Sequence, residues 1–184
     1  MFDHFNIVAP FYERLIPPSD PSLLLSLLEL APACTLLDAA GGTGRVAGTL
    51  AALAGRVVVC DVSPRMLARA RKKGLETVQA EVEALPFADA SFDRILLVDA
   101  FHHLKDQRAA TRELLRVMKP AGRLVIEEPD NRRLFVKIVA VLEKLFLMRS
   151  RFFRPESMMQ LIAACGGKCG DRALRPVSGV AGCA

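Results

Sequence analysis

The stretch Leu36-Leu37-Asp38-Ala39-Ala40-Gly41-Gly42-Thr43-Gly44-Arg45-Val46-Ala47 sets three glycines within four residues, after an apolar run and before an Ala/Leu-rich one. The first run reads as a buried strand, Thr35 to Ala39, and the second as a helix, Val46 to Leu53. A glycine loop between strand and helix lets backbone N–H groups approach a ligand with no Cβ in the way. The question is which ligand.

Outward from this stretch the same alternation repeats. Arg56 to Cys60 is a second apolar strand ending on Asp61. Ser63-Pro64 opens a helix through Lys73, with Gly74 as its stop. Glu76 to Val82 is a third strand and Phe92 to Val98 a fourth. Asp106 to Met118 is a helix halted by Lys119-Pro120-Ala121-Gly122, and Arg123 to Glu128 is a fifth strand. Strands this apolar throughout, alternating with helices, predict an α/β fold: a doubly wound, mostly parallel sheet with helices on both faces.

The flanks differ. Phe2 to Ile16 has apolar residues near helical spacing, broken at Pro10, and Asp20-Pro21 starts a helix toward Leu30. Residues 1–31 are therefore expected to be helical. Residues 131–154 form a long apolar helix candidate, and Lys137, Glu143 and Lys144 argue against a membrane span. Pro155 to Cys165 is a further helix. Lys168 to the C-terminus is expected to supply two short strands as a closing antiparallel pair. The 184 residues are read as a single domain, long enough to bury roughly 70% of the unfolded surface.

Composition narrows the function classes. The net charge of +5 is a modest basic excess. No Lys/Arg run is interleaved with aromatics, so nucleic acid is not an expected partner. Among the five cysteines, Cys34 and Cys60 read as small core residues. Cys165-Gly-Gly-Lys-Cys169 has neither redox nor zinc spacing, so no metal is expected. The N-terminus lacks a basic segment followed by an apolar core, so the expected compartment is the reducing cytoplasm.

Two ligands suit the glycine loop. Gly42-x-Gly44-x-x-Ala47 fits a dinucleotide fingerprint, with Asp61 placed for a ribose. The same loop suits S-adenosylmethionine (SAM), which carries a sulfonium and an amino acid in place of a pyrophosphate. Asp38 separates them. A carboxylate repels a pyrophosphate but complements an ammonium and a sulfonium. Beyond the third strand, Glu81 can accept from an adenine amino group and the Val82 N–H can donate to a ring nitrogen. No Tyr-x-x-x-Lys pair supports an NAD(P)-dependent oxidoreductase.

LLDAAGGTGRV, CDVSPRML, AEVEALPFADASFDRI, VDAFHHL and LLRVMKPAGRLVIEEP, in that order, resemble the class I SAM-dependent methyltransferases. The nearest likeness is to the branch that includes the ubiquinone and menaquinone biosynthesis C-methyltransferases. The resemblance covers Phe2 to Pro129, and the C-terminus more loosely. It implies that Asp38 and the backbone of Ala40, Gly41, Gly42 and Gly44 hold the methionine end of SAM. Ala40 stands where the family usually has its first glycine, a departure that also occurs in the quinone-methylating branch. The resemblance further implies that Asp61 accepts the ribose hydroxyls, that Val62 and Met66 pack near the adenine, and that Glu81 and Val82 read it. Asp99 falls at the crevice where such sheets bind ligands. Phe2, Tyr12 and the rest of residues 1–31 would form a lid.

Methyl transfer needs a base only where the acceptor must lose a proton. His102 and His103, after the fourth strand, are the candidates, with His102 preferred; the alternative is that both merely cap or pack the loop. Asp99-Ala100-Phe101-His102 is not the Asn/Asp-Pro-Pro-aromatic motif of amino-nitrogen methylation. This favours carbon or oxygen of a small, apolar or aromatic acceptor, such as a quinone. Residues 131–154 are read as core packing, as a roof over that acceptor, or as a peripheral membrane contact. A homodimer is compatible with the sequence. The rival class is a SAM-binding module without catalysis.

Overall fold

The computed structural model describes residues 21–128, 155–168 and 179–183. Of the lid expected over residues 1–31, residues 1–20 lie outside the described residues, as does the apolar helix expected over 131–154, while Leu24, Leu27 and Leu28 are buried in the core.

The elements, in order, are α1 (Pro21–Leu28), β1 (Thr35–Ala39), α2 (Arg45–Leu50), β2 (Arg56–Asp61), α3 (Pro64–Lys72), β3 (Glu76–Gln79), β4 (Phe92–Val98), α4 (Gln107–Val117), β5 (Met118–Glu128), α5 (Pro155–Ala164) and β6 (Gly179–Cys183). Short 3-10 turns cover Ala51–Leu53, Val82–Ala84 and Phe101–His103. The strands form one sheet in the order β3-β2-β1-β4-β5-β6. The first five are parallel, and β6 runs antiparallel to β5 with Ile126 opposite Ala181.

Period-two alternation sorts each strand between two cores. Leu36, Val57, Val59, Leu96 and Val125 face α1, α2 and α3, where they meet Leu24, Leu28, Leu50 and Leu67. Leu37, Val58, Ile95, Leu97 and Ile126 face α4 and α5, where they meet Leu114, Val117, Met158 and Ile162. Both faces are covered, which is why the strands read as unbroken apolar runs.

Polar contacts pin the ends. Asp93 accepts from the Thr35 backbone N–H at 2.9 Å and from Lys119 Nζ at 2.9 Å, tying β1, β4 and the start of β5. Those donors hold its carboxyl down at about 2 against the opposing effect of burial. Arg94 donates to the carbonyls of Leu28 and Glu29, and Arg123 pairs with Glu29 at 2.7 Å. Two cations thus close the carbonyl end of α1, where helix polarity favours positive charge. α1 itself stops at Leu28, short of the expected Leu30, because Glu29 takes a left-handed conformation with φ 46°. The Ser63 side chain accepts from the Met66 N–H at 3.3 Å and caps α3, with Pro64 behind it.

One expectation is corrected. The third strand was expected to reach Val82 but ends at Gln79. The Ala80 N–H donates back to the Asp61 carbonyl, and the chain then turns so that Val82 enters the core from a 3-10 turn. At the C-terminus β6 is an antiparallel strand as expected, and residues 169–178, where the other strand of the expected pair falls, lie outside the described residues.

Leu96 is fully buried at the centre of the sheet. Leu96→Ala should lower unfolding free energy by about 2–5 kcal/mol through lost contacts and a residual cavity. Urea denaturation would show a lower midpoint with an unchanged slope.

Candidate functional site at the carboxyl edge of the sheet

Because β1 to β5 are parallel, their carboxyl ends share one edge. The chain leaves β1 through α2 on one face and leaves β4 through α4 on the other. β1 and β4 are neighbours, so the loops after them diverge and open a crevice between them.

The loop after β1 forms its rim. Ala40, Gly42 and Gly44 have φ of 53°, 55° and 66°. Ala40 holds a left-handed conformation without the freedom of glycine, which costs about 1–2 kcal/mol. Gly44 is the N-cap of α2, and a Cβ there would collide with Leu75 Cδ1, just before β3, and lie 3.2 Å from Ala70 Cβ on α3. Gly41 has a different constraint. A Cβ on it would sit 2.5 Å from the Asp38 carboxyl group.

That carboxyl group lies beneath the loop at 2% exposure. Burial drives its pKa up to about 7, and the nearby Asp61 adds to this; the Ala47 N–H and Arg45 oppose it. Asp38 Oδ2 has no hydrogen-bond partner among the described residues. Asp61, at the end of β2, accepts from the Gly42 N–H at 3.0 Å and from the Ser63 N–H at 2.8 Å. One side chain therefore holds both the glycine loop and the entry to α3. Val62 beside it is 45% exposed, whereas Met66 is buried.

Across the crevice, Asp99 follows β4 with φ 53°. Its Oδ2 lies 3.4 Å from Arg45 Nη2, so an ion pair spans the gap. Burial and the neighbouring Glu128 raise the Asp99 carboxyl to about 6, against Arg45 and His102. His102 is buried, with Nδ1 2.6 Å from Glu128 Oε2. Glu128 Oε1 accepts from the Phe101 N–H at 2.7 Å. The His103 ring lies against that of His102, tilted by 47° with centroids 3.9 Å apart. Burial lowers its pKa to about 3, with His102 adding to the shift. Glu81 is exposed and ion-paired with Lys105, and Glu83 accepts from the Lys105 N–H at 2.8 Å.

The structure thus brings Asp38, Ala40, Gly41, Gly42, Gly44, Asp61 and Asp99 to one edge, with His102 and His103 just behind Asp99. Glu81 and Val82 lie at the end of the neighbouring β3, with the Val82 side chain in the core and the Glu81 carboxylate turned to Lys105. A cleft at the edge is lined by Asp38, Ala40, Gly41, Gly42, Thr43, Arg45, Val46 and Val98. Sequence reading did not single out Arg45 or Glu128. Arg45 stands inside the glycine stretch, and only its neighbours drew notice. Glu128 lies 26 positions from His102, and no local pattern joins the two.

A cationic ligand fits this edge. A buried carboxylate with an open acceptor, a second carboxylate at Asp61 and a rim of bare backbone complement an ammonium and a sulfonium; a pyrophosphate would meet like charge.

Residues 37–126 match the family model described as a methyltransferase domain. The chain is 40% identical over 105 residues to the ubiquinone/menaquinone biosynthesis C-methyltransferase UbiE of Klebsiella pneumoniae, covering 51% of this chain and 42% of that protein. It is 36% identical over 122 residues to the demethylmenaquinone methyltransferase of Corynebacterium efficiens, covering 66% of this chain and 52% of that protein. The chain thus spans about half the length of the curated relatives it matches. A SAM-dependent methyltransferase structure from Thermotoga maritima superimposes with a TM-score of 0.73 at 26% identity, covering 96% of this chain and 89% of that one.

Residues 37–126 thus carry the methyltransferase-domain match, and the fold and crevice are similar to those of class I SAM-dependent methyltransferases, which indicates S-adenosyl-L-methionine as the cofactor. Within that class the chain resembles the ubiquinone/menaquinone biosynthesis C-methyltransferases.

The Asp38 carboxyl has its pKa raised by folding, from 3.8 to about 7. Its ionisation therefore costs the folded state nothing below pH 3.8 and the full penalty above about 7. Asp38→Asn should raise the unfolding free energy at pH 8 by about 1–2 kcal/mol, since the amide's unpaired NH2 offsets part of the gain. Urea titrations should show that gain shrinking as pH falls, passing through zero and turning into a net loss before about pH 4, because the amide's cost does not titrate.

Proposed function

We propose that this chain transfers the methyl group of SAM to carbon or oxygen of a small, apolar or aromatic acceptor of the quinone type. One observation carries the reading: the buried Asp38 carboxylate with an open acceptor, set under bare backbone at the crevice, with Asp61 at the next strand end. The names of the UbiE and demethylmenaquinone relatives support the quinone-like acceptor.

The reading gives each residue a task. Asp38 and the backbone of Ala40, Gly41, Gly42 and Gly44 hold the methionine end. Asp61 takes the ribose hydroxyls from the end of β2, where the Gly42 and Ser63 backbone N–H groups orient its carboxylate. Val62, exposed beside it, and Met66 border the adenine, which Glu81 and the Val82 N–H read. Asp99 faces the crevice from the β4 side. Bound SAM supplies a methyl group already activated by its positive sulfur. The chain's work is to align the acceptor and exclude water.

Where the acceptor must lose a proton, His102 is the better of the two histidines. Its Nδ1 is held by Glu128, and a carboxylate there accepts from Nδ1–H and leaves Nε2 as the basic nitrogen. Burial leaves His103 too weak a base to hold a proton near neutrality. Residues 1–20 as lid and 131–154 as roof over the acceptor complete the proposal. Among the described residues no helix is long and apolar enough to cross a membrane. A cytoplasmic enzyme meeting an apolar acceptor at the membrane surface suits the reading.

Isothermal titration should give micromolar binding of S-adenosylhomocysteine and none of NAD. Asp61→Ala should weaken that binding roughly tenfold or more while the chain stays folded. Binding of NAD alone, or of neither ligand, would overturn the reading.

A further inference from the structure

Away from the crevice, α3 carries the densest run of like charge among the described residues. Arg65, Arg69, Arg71 and Lys72 lie on it, Lys73 caps its end, and no Asp or Glu interrupts them. Outside Pro64–Lys73 the described residues hold ten Lys and Arg against fourteen Asp and Glu. α3 is therefore a basic face on an otherwise acidic body.

Helix geometry sorts these cations. Met66, Leu67 and Ala70 are buried. Arg65, Arg69 and Lys72 fall at i, i+4 and i+7 on the opposite side and form one stripe along the outer face. Arg69 and Lys72 make no hydrogen bond or ion pair among the described residues. Arg71, to one side, donates to Thr77 Oγ1 at 2.7 Å. Glu76, the acid that follows the helix, is held by Arg56 at 2.6 Å.

Folding alone does not call for this pattern. Helix polarity favours cations at the carboxyl end, which covers Arg69, Arg71, Lys72 and Lys73. It disfavours Arg65, which stands in a first turn that holds no acid. Like charges three and four positions apart weaken the helix further. An anionic partner relieves that repulsion. The outer side of a helix is convex, and a flat layer of lipid phosphates meets it along its length. No aromatic side chain accompanies the cations to stack on nucleic-acid bases.

We infer that the outer face of α3, built on Arg65, Arg69 and Lys72, docks the chain on an anionic bilayer. α3 starts from Ser63 at the carboxyl end of β2, beside Val62, which is 45% exposed. Docking along the helix keeps the crevice edge beside the lipid headgroups. The inference rests on the reading of an apolar acceptor met at the membrane and names the surface that meets it.

The test is cosedimentation of the full chain with two kinds of vesicle, pure phosphatidylcholine and phosphatidylcholine with about one third phosphatidylglycerol. The chain should bind the anionic vesicles at least about tenfold more tightly, and about 0.5 M salt should abolish the difference. Each basic side chain at such a surface strengthens binding about fivefold. Arg65→Gln, Arg69→Gln and Lys72→Gln combined should therefore weaken it about 100-fold. Glutamine keeps the helix propensity, so the variant should bind S-adenosylhomocysteine as the wild-type chain does. Equal binding to both vesicles, undiminished binding by the variant, or binding of an RNA oligomer with none of the vesicles would overturn the assignment and leave the SAM reading standing. Vesicle preference without S-adenosylhomocysteine binding would sink the methyltransferase reading and leave the docking face. If the triple variant does not fold, Arg69→Gln with Lys72→Gln decides, with an expected loss of about 25-fold.

Discussion

A carboxylate buried at the end of the first strand constrains everything around it. Asp38 lies where a parallel strand delivers its chain into the crevice, out of water and with one oxygen open. The loop passing over it can carry no side chain at Gly41, because the Asp38 carboxyl occupies that space. At Gly44 the backbone must turn left-handed and pack against Leu75. The bare backbone thus follows both from an acid beneath the loop and from a helix seated tightly against its neighbour.

Charge is distributed along the same edge by topology. Asp38 and Asp61 lie at the carboxyl ends of β1 and β2, and Asp99 follows β4, one acid for each of these strand ends. Their environments differ. Asp61 is held by two backbone N–H groups and does structural work between the loop and α3. Burial raises Asp38 and Asp99, and Arg45 counters both. A site built this way stores an electrostatic penalty in its free form, which a cationic ligand relieves. Such penalties gather at sites that bind or react.

Behind the crevice, a second polar unit ties β4 to β5. Glu128 engages both the His102 ring and the Phe101 N–H, which fixes the short turn after β4. This contact orders the histidine whether or not the acceptor needs a base. The sheet beneath is covered by α1, α2 and α3 on one side and by α4 and α5 on the other, so the polar edge rests on a rigid, dry platform.

Much of this was legible in the sequence. The strand–helix alternation, the apolar runs, the Ser63-Pro64 helix start and the Lys119-Pro120-Ala121-Gly122 stop located β1, β2, β4, α3 and α4 within a residue or so, because these signals act over a few neighbouring positions. The glycine stretch, Asp38 and Asp61 were legible for the same reason: each lies at a strand end that the pattern marks. Contacts between distant positions were not. Nothing near Leu28 announces that Arg94 and Arg123 will close its helix. Nothing near His102 announces Glu128, and the pairing of Arg45 with Asp99 requires β1 and β4 to lie side by side. By itself the sequence determined the fold class, the order of the elements and the acids at the strand ends, since hydrophobic period and turn chemistry are local. Tertiary structure alone decided which of those charges meet, how far burial shifts them and which face of the crevice each one lines, since these depend on what the folded sheet brings together from far along the chain.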